Sequence, residues 1–323
     1  MSTMDTFKRL NLMEAAKREG YTDSLTLLAN MAQKNDLIAY APWLPANNGL
    51  FHKYLQATAL GKGGFKAINA PVPVITSKAA PVTENIFFYE GDSVVDEDLL
   101  KGCTGETARK VRDSEDAMNS EGFLQDWNKQ IVYGTNAPNG FTCLKDRRNK
   151  LAAGACYSAG GSTANSQSSL YLFEFGEQGF NFRYASGDAP GLSTEDRGLK
   201  YIAAPTGTGN FWAWVRHMTL SGGMEIKTNK ALMRLANIES LSDFTSTGLP
   251  NFIKMKNQLP NVGRGAMGFC NRTVHALIET NAYNKTNAAY SVKEIEGFGP
   301  ITMIVGIPIM LMEAITDTEA VVS

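Results

Sequence analysis

Residues 40–75 read YAPWLPANNGLFHKYLQATALGKGGFKAINAPVPVI. Prolines at 42, 45, 71 and 73 and glycines at 49, 61, 63 and 64 deny this stretch a sustained helical period. It is no polar linker either. Trp43, Leu44, Leu50, Phe51, Tyr54, Leu55, Leu60, Phe65, Ile68, Val72, Val74 and Ile75 give it more apolar surface than a loop leaves in water. At roughly 40 residues with its flanks, it is also too long for an ordinary connection. Something must cover it. Either it folds back on its own domain, or it is an extended hairpin and arm that lies on a neighbouring subunit, with Gly61-Lys62-Gly63-Gly64 as the hairpin tip.

Upstream, Met4, Phe7, Leu10, Met13 and Ala16 recur every three residues and predict a helix over 4–19 ended by Gly20, with a second short helix over 24–33. Downstream, residues 85–89 read as a strand. A turn at Gly91-Asp92 then leads to Ser93, whose spacing from Asp96 suits a helix-capping pair. From Glu106 to Tyr133 the chain alternates charged residues with apolar points at Ala108, Val111, Met118, Leu124, Trp127 and Ile131. That pattern predicts one long helix of about 28 residues and about 40 Å, imperfect at Gly122. Beyond it, strands are expected over 170–175, 180–184, 211–220 and 266–270, and short helices over 232–236 and 251–258. Asn271 caps a helix through Asn281 on which Val274, Leu277 and Ile278 share a face. Strands over 290–295, 301–305 and 307–315 close the chain. The layout is α+β without a regular βαβ alternation.

With 323 residues, 43% of them hydrophobic, the chain is long enough to bury a real core as one large domain or two smaller ones. Lys and Arg number 31 against 32 Asp and Glu, so no cationic excess exists to neutralise a phosphate backbone, and a dedicated nucleic-acid binder is excluded. The apolar run over 301–312 is cut by Gly306 and Pro308 and falls short of the roughly 20 residues that cross a bilayer. No membrane partner is expected. Charges at Asp5, Lys8, Arg9, Glu14, Lys17 and Arg18 leave no apolar stretch for a secretory signal. Cys103, Cys143, Cys156 and Cys270 are too widely spaced for a disulfide scaffold or a local zinc site.

Each string that suggests chemistry has a plainer reading. Gly263-Arg264-Gly265-Ala266-Met267-Gly268 matches G-x-G-x-x-G, but the strand-like residues follow the glycines instead of preceding them. A turn is expected there. Ser158 comes near a G-x-S-x-G elbow, yet Cys156 stands in place of its first glycine, and a flexible loop is the expectation. The carboxylates at Asp113, Glu115 and Asp116 alternate with Arg109, Lys110 and Arg112 as on a solvated or intersubunit face. His275 reads as an ordinary surface or boundary residue. No catalytic, cofactor or metal constellation stands, and no cofactor is expected.

The sequence resembles the major capsid proteins of tailed bacteriophages, in particular a branch found in short-tailed phages. The resemblance rests on Asn47-Asn48-Gly49-Leu50 and His52, on Val132-Tyr133-Gly134, and on Phe141, Leu144 and Arg148 in F-x-x-L-x-x-R. It continues through Phe269-Cys270-Asn271-Arg272 and Phe298-Gly299-Pro300 to Gly306-Ile307-Pro308-Ile309, the most telling string. It is weak between about 150 and 200. It implies the tailed-phage capsid fold: an N-terminal arm over 1–45, an extended hairpin or E-loop over 46–92, and a peripheral domain with a spine helix over 93–134. An axial domain would follow over 135–287, and strands over 288–323 would return to the peripheral domain.

The function so implied is a structural subunit that self-assembles, as hexamers and pentamers, into an icosahedral shell around a phage genome. Expected assembly contacts are Trp43, Leu50, Phe51, Tyr54, Lys62 and Phe65. Expected partners are copies of itself and a separate scaffold, portal or cement protein. Packaged DNA would meet only weak, nonspecific contact, through Lys8, Arg9, Lys17 and Arg18 if the arm faces inward. Some relatives lock the shell with a Lys–Asn bond; Lys62 is placed for one, but nothing specifies it and none is expected. The rival readings are an encapsulin-like compartment enclosing protein cargo, and an enzyme with a nucleotide or acyl substrate using the glycine strings or Ser158. Nucleic acid in purified particles separates the two shells, and saturable nucleotide binding would mark the enzyme.

Overall fold

The computed structural model describes residues 36–103, 105–134, 140–151, 154–204, 209–283, 289–295 and 299–323. The helices expected over 4–19 and 24–33 lie outside them. The order begins α1 (Asp36–Tyr40), β1 (Trp43–Pro45), β2 (Phe51–Ala59), β3 (Lys78–Asn85), β4 (Phe87–Asp96), α2 (Glu97–Leu100) and α3 (Gly105–Tyr133). It continues with α4 (Leu144–Arg147), β5 (Cys156–Ser158), β6 (Ser168–Glu174), β7 (Phe180–Tyr184), β8 (Leu192–Ala203), β9 (Asn210–Ile226) and β10 (Leu232–Ile238). It ends with α5 (Leu249–Gln258), β11 (Ala266–Cys270), α6 (Arg272–Tyr283), β12 (Tyr290–Ile295), β13 (Gly299–Ile304) and β14 (Ile307–Leu311). No helix among the described residues is long and apolar enough to cross a membrane.

Among the described residues, 88–130 and 189–221 form one compact unit. Its backbone is α3, the long helix expected from the sequence, 29 residues and so about 43 Å. Pairs one turn apart support it, Glu106 with Lys110 at 3.2 Å and Arg109 with Asp113 at 3.6 Å. Gly122 sits on an open face where a side chain would meet nothing, so it weakens the helix without interrupting it. The helix buries Val111 with Val95 and Leu100, and Arg112 lies over the Trp214 ring of β9 at 4.2 Å.

The expected capping pair is corrected here. The β-branched Val94-Val95 keep the chain extended through Ser93, which is buried in β4 and accepts a hydrogen bond from Asn119 Nδ2 at 2.9 Å. The cap is Asp96 itself, whose side chain accepts from the Asp98 amide at 2.9 Å.

The second unit comprises residues 36–87, 131–188 and 222–323 among those described. Its main sheet has seven strands in the order β12-β13-β14-β11-β6-β10-β5. Residues 288–323, set apart in the sequence reading as a return to the peripheral domain, supply three of them. Phe252 and Met255 of α5 and Val274 and Ile278 of α6 pack with Leu170, Leu172, Met233 and Leu235 in the main core. Asn271 caps α6, its side chain accepting from the Val274 amide at 2.9 Å.

The helix expected over 232–236 is instead β10, antiparallel to β6 and parallel to β5. All seven of its residues are buried. A strand covered on both faces shows no polar alternation, and Leu, Met and Ala then read as helix formers. Ser158 is likewise corrected from a flexible loop: it ends β5, and its Oγ accepts from the Gly160 amide at 3.1 Å and Asn237 Nδ2 at 3.0 Å. One charged pair is sealed in this unit. Arg234 Nη2 donates to Glu319 Oε2 at 3.0 Å, Tyr133 Oη donates to Glu319 Oε1 at 2.7 Å, and both ionic side chains are at most 2% exposed.

Candidate subunit interface

Strands β2 and β3 pair antiparallel from Phe51 opposite Asn85 to Ala59 opposite Lys78, and they form a two-stranded sheet of their own. A lone ribbon of this kind has no face to bury against a third strand and is marginal in water. Residues 60–77 connect the two strands without regular structure. They leave Leu60, Phe65, Ile68, Val72, Val74 and Ile75 exposed, Phe65 at 110% of its reference surface and Ile68 at 94%. The connecting part of the apolar stretch that opened the sequence reading, residues 60–75, is therefore not covered by the described residues of its own chain.

The root of the hairpin is the opposite case. Along β2 exposure alternates, with His52, Tyr54 and Gln56 turned in and Lys53, Leu55 and Ala57 turned out. The inward side chains each find a partner on the end of β9 or just past it. Tyr54 Oη donates to the Ile226 carbonyl at 3.0 Å, and Gln56 Nε2 donates to the Lys227 carbonyl at 3.0 Å. Burial, with the carboxylates of Glu84 and Glu225, pushes the Tyr54 phenol up to about 12. On β3, Glu84 takes a two-pronged contact from Arg147, at 3.1 and 3.0 Å. Gly223 is required where β9 passes the end of β3, because a Cβ there would lie 2.6 Å from the Asn85 carbonyl oxygen.

The deepest anchor is His52, buried to 6%, whose Nε2 lies 2.9 Å from Oε1 of the fully buried Glu225. Arg183 closes the other side, donating to Glu225 Oε2 from Nε at 2.8 Å and, from Nη1, to the Pro45 carbonyl at 2.9 Å. The Asn47 amide donates to His52 Nδ1 at 3.3 Å, which places the ring proton on Nε2, facing Glu225. Burial first, then the Arg183 charge, lower the His52 pKa from its usual value. Asn47 also clips the first turn of the ribbon, exchanging hydrogen bonds with the backbone of Lys53.

Of the six residues expected to make assembly contacts, Lys62 and Phe65 lie on the exposed connecting stretch and Leu50 is exposed at the root. Phe51 is half-buried under the Lys53 ammonium, 4.8 Å from its ring centre. Trp43 and Tyr54 have intrachain partners. The Trp43 ring stacks on Phe182 at 4.7 Å and its Nε1 donates to the Ile38 carbonyl at 3.2 Å. The His52, Glu225 and Arg183 cluster was not singled out in the sequence, though the period-two alternation of His52, Tyr54 and Gln56 carried the signal.

The ribbon thus combines an exposed apolar connecting stretch with a root held by ion pairs. The family model for "Major capsid protein GP7" matches residues 23–323. The chain belongs to that family of major capsid proteins. It is a structural subunit of a tailed-phage virion shell. The capsid protein is similar in fold to the solved structure of bacteriophage Epsilon15, with a TM-score of 0.72 at 22% identity over 99% of each chain. Its likeness to the bacteriophage JBD30 capsid has a TM-score of 0.50 at 10% identity, over 90% of this chain and 94% of that one. An encapsulin complex from Synechococcus elongatus aligns with a TM-score of 0.48 at 13% identity, over 71% of this chain and 97% of that one. No curated protein matches.

Proposed function

We propose that the capsid protein builds its shell by laying the ribbon over 46–92 on a neighbouring copy, with residues 1–45 as an arm that extends the same contact. The observation that carries this is the exposure of Leu60, Phe65, Ile68, Val72, Val74 and Ile75 on one connecting stretch. Six large side chains left in water are a cost to a lone molecule and a gain to an assembly. Each contact is modest, but in a closed array the first contacts make the later ones effectively intramolecular. Leu50, Phe51, Lys62 and Phe65 belong to this contact, while Trp43 and Tyr54 hold the root from which the ribbon springs.

In this reading α3 is the spine of the peripheral domain over 93–134. The axial domain over 135–287 takes 135–188 and 222–287 from the sheet unit and 189–221 from the unit of α3, and 288–323 extend the seven-stranded sheet. Hexamers and pentamers of such subunits make an icosahedral shell, with a scaffold, portal or cement protein as separate partners. Contact with packaged DNA is weak and nonspecific, in keeping with a formal net charge of −1. The role is structural and not enzymatic. The experiment is size at native concentration: light scattering and negative-stain images are expected to show megadalton shells, with nucleic acid inside those taken from virions. A protein that stays monomeric at every concentration would overturn the reading.

A further inference from the structure

At the root of the ribbon a cavity of about 370 Å³ is lined by Tyr54, Gln56, Val82, Glu84, Arg147, Arg148, Ile226 and Asn229, of which Arg148 decides its chemistry. The cavity holds two guanidiniums and one carboxylate. Glu84 is taken up by the two-pronged contact with Arg147. Arg148 is left over, more than nine-tenths buried, and its partners are backbone carbonyls alone: Leu232 at 2.7 Å, Arg147 at 2.8 Å, and Asn229. Among the described residues no carboxylate pairs with it. A guanidinium has five N–H donors, and these three bonds spend three of them. A buried cation without a counter-charge is held at a cost that its three carbonyl partners offset only in part. Burial, then the Arg147 charge, bring its pKa down to about 10, so it stays a cation at neutral pH.

We propose that this cavity is an oxyanion site, which takes one carboxylate- or phosphate-type group as the counter-ion of Arg148. Val82 and Ile226 form the apolar wall, and the volume falls in the range of small-ligand pockets. Carboxylate and phosphate both match the planar fork of a guanidinium. Two sources offer that chemistry: free phosphate, or an acidic side chain of a neighbouring copy in the shell. Because Tyr54, Gln56, Val82 and Glu84 come from the ribbon and Arg147 and Arg148 from beyond α3, a bound anion ties the ribbon root to the body.

The test is thermal denaturation of the dissociated full-length chain, and separately of assembled shells, against inorganic phosphate at constant ionic strength. For the free chain the melting temperature is expected to rise by about 2 °C at ten times the dissociation constant. Arg148→Met removes the cation and with it the rise. Gln56→Glu places an internal carboxylate at the cavity and also abolishes the rise, which keeps the test decisive if Arg148→Met does not fold. A rise in the free chain and in shells assigns the site to free phosphate; a rise in the free chain alone assigns it to a neighbour's side chain. No rise in the free chain, or the same rise in both variants as in the parent, overturns the proposal.

Discussion

Replacing Phe65 by Ala tests the ribbon contact most directly, because the ring touches water on every side in the lone molecule. Removing it from the dissociated chain deletes no packing, so its melting temperature is expected to move by less than about 1 °C. If the ring is buried on a neighbour, its truncation costs about 2 kcal/mol per contact. Each subunit gives one such contact, so the concentration at which shells form rises about 30-fold. The assay is light scattering across a dilution series, run beside a melting curve of the dissociated chain. Two results would refute the reasoning. An unchanged assembly threshold would mean that Phe65 finds no cover on a sister molecule. A drop of roughly 5 °C in the melting temperature of the dissociated chain would mean that it belongs to a private core in solution.

Trp43→Ala should behave in the reverse way, lowering the stability of the dissociated chain by about 2 kcal/mol through loss of the Phe182 stack, as read by urea unfolding. Leu50→Ala, on an exposed side chain, should leave that stability unchanged and raise the assembly threshold. Glu319→Ala leaves Arg234 buried and unpaired and should cost about 3–5 kcal/mol in thermal or denaturant unfolding. His52 gives a pH dependence. Its folded pKa lies below the unfolded value of 6.5, so the unfolded chain binds the proton first and stability falls as pH drops through 6.5 towards the folded pKa. Hydrogen exchange is expected to show amides of the ribbon root opening faster at pH 5 than at pH 7, and His52→Gln should flatten that difference; equal protection at both pH values would count against it.

The long helix was legible because its cause is local: charged pairs one turn apart and a broken apolar stripe need only their own segment to form. The same holds for Asn271 and α6, and for the ribbon, where prolines and glycines exclude helix and the apolar residues demand a cover. Ser93 misled because a capping spacing says nothing about whether the preceding strand has ended. Residues 232–238 misled because burial on both faces erases the alternation that marks a strand.

The sequence alone determined that the chain carries an α+β core and an apolar ribbon too greasy to stand by itself, since composition and period fix how much surface must be hidden. Only the tertiary structure decided where that ribbon is anchored. Glu225, Arg183 and His52 are separated by up to 173 positions, and nothing in their spacing pairs them. Burial makes that cluster matter: a carboxylate sealed from water must be matched by the charges and protons that folding brings to it, and only the assembled strands supply them.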